Sequence, residues 1–137
     1  MAEKLSTNGQ PISLSEVSKL SLKDEYDLKE RCGKRAAEVF KKDWGNGISN
    51  DNNSSSFASF SNHFNKKLNK CFYLITSKVT NYASKNTYHF ITLVVINDNN
   101  IYGELIDDGD KVGGKVETVT FHSKKEWEAL IKPFMND

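Results

Sequence analysis

The side chains here that could do chemistry are two cysteines, three histidines and a dense run of asparagines and lysines. Cys32 and Cys71 offer either a nucleophile or a cross-link. A Cys/His nucleophile, with His63 or His89 as base, needs an exposed thiolate of depressed pKa. Both cysteines instead fall in apolar periodicity. Cys32 shares a helical stripe with Leu28, Ala36, Val39 and Phe40, and Cys71 heads the strand-like run Cys71-Phe72-Tyr73-Leu74-Ile75. Thiols in such places are inert or bridged. A helix laid on a sheet would bring the two sulfurs together, so a disulfide and two separate buried thiols are both open readings. The bridge would close a loop of about 40 residues, contribute roughly 4 kcal/mol in the chain-entropy picture, and imply an oxidising compartment.

A second cluster is Asn62, His63, Asn65 and Lys66, with Lys67 beside it. As a site it is a polar patch for an anionic or carbonyl-bearing ligand, and the seed of a small hydrolase or transferase built on His63. As architecture it is a strand end whose asparagines satisfy turn backbone, which Asn does routinely. Metal chemistry finds little support. Asp98 and Asn100 begin like a calcium loop with Gly103 in sixth place, but Tyr102 stands fifth and Gly109 twelfth, where a bidentate Glu is required. Asp107, Asp108 and Asp110 read as a solvated acidic turn. His63, His89 and His122 lack zinc-ligand spacing. Gly113-Gly114-Lys115 lacks the first glycine and the hydroxyl residue of a phosphate loop. Lys66, Lys67 and Lys70 beside Phe64, Phe72 and Tyr73 form a basic aromatic cluster of the kind single strands use. A net charge of +1 on 137 residues, with only two arginines, argues against nucleic acid as a partner. No metal and no cofactor are therefore expected.

The elements that must position these residues follow from pattern. Residues 1–20 are polar and read as a mobile lead-in, and 21–137 as a single domain. Ser21 with Asp24 has capping-box spacing and opens a long helix that Gly45 stops. The tract 49–56, Ser-Asn-Asp-Asn-Asn-Ser-Ser-Ser, reads as a flexible loop. Strands are expected over 57–64, with Phe60, Asn62 and Phe64 on one face, then over 71–79, 87–96 and 101–106, with a short fifth over 116–121. The third, rich in β-branched residues and nearly continuous in apolar character, is the expected central strand. Gly103 hints at a bulge or a close contact, and Gly113-Gly114 reads as loop. Ser123 with Glu126 opens a last helix that Pro133 limits to two or three turns. The expected fold is α+β: a long N-terminal helix on an antiparallel sheet of four or five strands, and a short C-terminal helix.

Two blocks carry a resemblance: Cys32-Gly33-Lys34-Arg35-Ala36-Ala37-Glu38-Val39-Phe40, and Asn62-His63-Phe64-Asn65-Lys66-Lys67-Leu68-Asn69-Lys70-Cys71-Phe72. Together they resemble a group of small uncharacterised bacterial proteins, often made with an export or lipoprotein signal. The resemblance implies an address outside the cytosol and a bridge between the cysteines; it implies no activity. Met1-Ala2-Glu3-Lys4 leads into polar sequence with no apolar signal region, which leaves open a cytosolic protein or a mature exported form. No apolar run is long enough to span a membrane. The expected function is a small exported, disulfide-stabilised binding domain without catalytic activity, monomeric, with a protein or cell-envelope component as partner. The alternatives are the His63-based enzyme and a cytosolic module with free thiols.

Overall fold

The structure, a computed structural model, describes Lys4–Leu5, Pro11–Ile12 and residues 21–136. Strands β1 (Lys4–Leu5) and β2 (Pro11–Ile12) pair antiparallel, and the rest of the polar lead-in lies outside the described residues. Ser21 then caps helix α1 (Leu22–Trp44), its hydroxyl accepting from the Asp24 N–H at 3.1 Å. Asp24 and Glu25 in the first turn and Lys41 and Lys42 in the last complement the helix dipole. Gly45, at φ 60°, ends the helix and donates its N–H to the Lys41 carbonyl.

Seven strands follow: β3 (Ile48–Asn50), β4 (Ser54–Asn65), β5 (Lys70–Asn81), β6 (Thr87–Val95), β7 (Asn100–Asp107), β8 (Val112–Val116) and β9 (Val119–Phe121). Each pairs antiparallel with the next, so spatial order equals chain order. Helix α2 (Lys124–Met135) closes the domain; the Ser123 hydroxyl accepts from the Glu126 N–H and donates to the Glu126 carboxylate, which also accepts from the His122 N–H. The α+β class holds, and β6 is the central strand as expected. The count of four or five strands does not hold. The tract 49–56, expected to be a loop, supplies most of β3 and the start of β4, turned by the Asp51 carboxylate, which accepts from the N–H groups of Asn53 and Ser54 at 2.7 Å. The expected single strand over 116–121 is a hairpin of β8 and β9, with Glu117 at φ 53° in its turn. Gly113 and Gly114 lie in strand β8.

The two sheet faces carry different helices. Opposed residues such as Asn62 and Tyr73, or His63 and Phe72, share a face, and neighbours along a strand alternate. On one face Ala36 and Phe40 of α1 pack against Ala58, Phe60 and Tyr73, with the Phe40 and Phe60 rings 4.8 Å apart. On the other, Trp127 of α2 buries against Phe72, Leu93, Val95, Leu105, Val116 and Phe121. Gly103 answers both expectations made of it. The β6–β7 register slips beside it, between Leu93 and Val94, and a Cβ there would meet the Trp127 ring at 3.1 Å. Pro133 sits inside α2, which runs on two residues past it.

Candidate functional site

Cys32 and Cys71 are bonded to one another, with Cα atoms 5.4 Å apart. The sulfurs are buried under Leu28, Phe64 and Ile96, so neither is a thiol nucleophile. The bridge pins the middle of α1 to the head of β5. A helix about 10 Å across covers two strands spaced 4.8 Å apart, and no more. Because α1 sits over β4 and the near side of β5, Val94 of β6 and Ile96, just past the end of that strand, are only half covered on this face. A groove opens along the uncovered flank.

The groove has two ends. At the disulfide end, about 360 Å³ is lined by Leu28, Arg31, Cys32, Arg35, Phe64, Cys71, Ile96 and Asn97. Toward the C-terminus of α1, about 460 Å³ is lined by Glu38, Val39, Lys42, Asp43, Tyr73, Ile75, Val94 and Asn99. Arg35 and Ile96 border both. The Tyr73 side chain is 1% exposed, and its hydroxyl has no hydrogen-bond partner among the described residues. Burial, and then the negative charge of Asp43, push its pKa up to about 12, so the phenol is neutral.

The sequence-predicted patch is not one place. Asn62 points to the α1 face, where its amide approaches the Cys32 sulfur at 3.7 Å and where a Cβ on Gly33 would meet it at ordinary van der Waals separation. His63, one residue on, belongs to the other face, opposite Phe72. Asn65 shares that second face and is fully buried. Its amide donates to the carbonyls of Pro133 and Phe134 at 2.9 and 3.1 Å, and its oxygen accepts from the Leu68 N–H at 3.0 Å. Lys66 pairs with Glu25 at 3.4 Å, and Lys29 reaches the same carboxylate at 3.0 Å. The hydrogen bond from Lys29, ahead of the pairing with Lys66, holds the Glu25 carboxyl below its usual range. His63 lines neither end of the groove.

The other candidates resolve into structure as well. Lys70 donates to the Tyr102 hydroxyl at 3.1 Å and faces Asp98 at 3.8 Å. Phe64 and Phe72 point to opposite faces, which disperses the basic aromatic cluster. Asp98 and Asp107 each accept from a backbone N–H two residues on, at Asn100 and Gly109. Asp108 accepts from the N–H groups of Asp110 and Lys111 at 2.9 and 2.8 Å; the Lys111 contact, then the Asp110 one, lowers its pKa. These are the turn bonds short Asp side chains make. Among the described residues no three His, Cys, Asp or Glu side chains gather where they could hold a metal ion, and no helix is long and apolar enough to cross a membrane.

Comparison with protein-family models, with curated proteins and with solved structures finds no match. The chain's own side chains are the guide to function, and the two that line the disulfide end most conspicuously are ones sequence reasoning passed over. Arg31 and Arg35 are the only arginines among 19 basic residues. They stand one helical turn apart on the flank of the α1 stripe, and that rarity and spacing were the signal available.

Proposed function

We propose that this chain is a small, disulfide-stabilised binding domain without catalytic activity, that it works in an oxidising compartment outside the cytosol, and that its ligand lies in the groove between α1 and the β5–β6 face. The observation that carries this reading is the groove itself: an apolar floor of Phe64, Ile75, Val94 and Ile96, walled by the charged flank of a helix. Ligand sites are typically concave and mostly apolar, with a few convergent polar groups. The Cys32–Cys71 bond supports both halves of the proposal. It fixes the helix wall relative to the sheet floor, so little ordering remains to be done when a ligand arrives. Disulfides also persist where thiols are not kept reduced. The partner's source is a protein or an envelope component.

Amide NMR of the oxidised, isotope-labelled chain against a panel of neutral, cationic and anionic fragments tests the site. Shifts should gather at Cys32, Ala36, Cys71, Tyr73, Val94 and Ile96. Shifts centred on the opposite face, around His63, would move the site and revive an enzymatic reading. Lysis of the native cells directly into denaturant and alkylating agent without reductant, followed by intact mass measurement, tests the compartment; two alkylated cysteines would place it in the cytosol.

A further inference from the structure

We infer that the disulfide end of the groove takes an amphipathic carboxylate: a small molecule with one acidic head on an apolar chain, of the kind a medium-chain fatty acid represents. The inference rests on the binding reading above and names the ligand class for the same site. Three features carry it. The floor is apolar, made by Leu28, Phe64, Ile96 and the disulfide. The rim carries both guanidiniums of the chain, and among the described residues no carboxylate lines this end. Asn97 completes the rim: its oxygen accepts from the Cys71 N–H at 2.8 Å, which fixes its orientation and leaves its NH₂ group to donate.

Charge decides where the head sits. The far end of the groove sets Glu38 and Asp43 against Lys42, so an anion gains little there. At the disulfide end, no ion pair among the described residues engages Arg31, and Arg35 has only Glu38 at 3.9 Å, both side chains more than half exposed. An exposed contact of that kind is worth little and is readily exchanged. The residue type points the same way. A chain that uses lysine at every other basic position has arginine at the two positions, four apart, that face this end. Guanidinium is the group whose fork matches a carboxylate, two bonds at a time. With its head between Arg31, Arg35 and Asn97, the ligand's chain runs over Ile96 toward Val94 and Ile75, the half-covered apolar strip.

The test is titration of decanoate, held below its micelle concentration, into the oxidised full chain, read by calorimetry and amide NMR. Decanol and decylammonium serve as neutral and cationic comparators. Decanoate should bind at the amides of Arg31, Arg35, Ile96 and Asn97 and should bind more tightly than either comparator. Arg31→Gln and Arg35→Gln should each weaken it about tenfold, and the double variant about a hundredfold. Glutamine suits an exposed helix position, and an unchanged circular dichroism spectrum and Tm show that the fold is kept. Equal binding of decanoate and decanol, or undiminished decanoate binding by the double variant, overturns the inference and leaves the groove standing as a site for another ligand. Shifts away from the groove, or no binding of decanoate, overturn it too. So does a dimer seen by sedimentation velocity without ligand that the double variant abolishes, since a second copy would then be the occupant.

Discussion

Asn65 satisfies three backbone groups from two elements at once. Its amide takes up carbonyls at the end of α2, where a helix leaves its last carbonyls unpaired, and its oxygen takes the Leu68 N–H of the β4–β5 turn. Asn65→Ala removes all three bonds at a part-buried place and should cost about 3 kcal/mol in urea unfolding. Tyr73 is the inverse case, a buried hydroxyl without a partner. Tyr73→Phe keeps the ring contact with Phe60 and removes the orphan, so stability should rise by about 1 kcal/mol, read as an upward shift of the urea midpoint. These two residues also show what was legible at this scale. The alternation that puts Phe60, Asn62 and Phe64 on one face was readable in the sequence, and it already excluded Asn62 and His63 from a shared patch. Neighbours in a strand are not neighbours in space, and grouping them by sequence position set that rule aside. Nothing in the sequence places the Pro133 and Phe134 carbonyls above Asn65.

The element that depends most on a single bond is α1. It lies on the sheet through a narrow stripe, Cys32, Ala36 and Phe40, and the disulfide joins the first of these to β5. Removing the bond by reduction, or with Cys32→Ala and Cys71→Ala together, should lower stability by about 4 kcal/mol for a loop of this length. The check is urea unfolding of the oxidised and reduced chains side by side; equal midpoints would mean the bridge adds no stability. The helices, β5, β6 and β7 were legible because their apolar periodicity is strong and their caps are conventional. The strands β3 and β8 were not. Eight consecutive Ser, Asn and Asp residues have no apolar side to mark a strand, and β3 exists only because the extended β4 offers it a partner. In β8 the glycines that read as loop are required by packing. A Cβ on Gly114 would collide with the Glu104 carbonyl and the Phe121 ring, at a φ of 153°. That demand is set by residues from two other strands, which local sequence does not reveal.

For the molecule as a whole, charge and burial set opposite pH limits. Glu25, Asp51 and Asp108 all have depressed carboxyl pKa values, from the Lys29 hydrogen bond, the Asn53 N–H and the Lys111 N–H respectively. A group held below its unfolded value stabilises above that value and loses the contribution as pH falls. Tm should therefore decline below about pH 4. Tyr73 works from the other side. Its pKa is raised to about 12, so its contribution is full below the unfolded phenol value near 10 and is lost as pH climbs from there toward 12. Thermal melts across pH 9 to 11.5 should fall more steeply for the native chain than for Tyr73→Phe; superimposable curves would mean that the phenol ionises as freely in the fold as outside it.

Strand order that follows chain order has a different kind of consequence. Among the described residues no segment of the seven-stranded sheet crosses over another, so a cut in the exposed turn at 82–86 would divide the sheet along one seam, between β5 and β6. One fragment would keep α1, β3 to β5 and the disulfide, the other β6 to β9 and α2. The groove straddles that seam, with its helix wall on one fragment and Val94, Ile96 and Asn97 on the other. Whatever occupies it touches both halves, and a split form of this domain would be a sensor that its own ligand glues together.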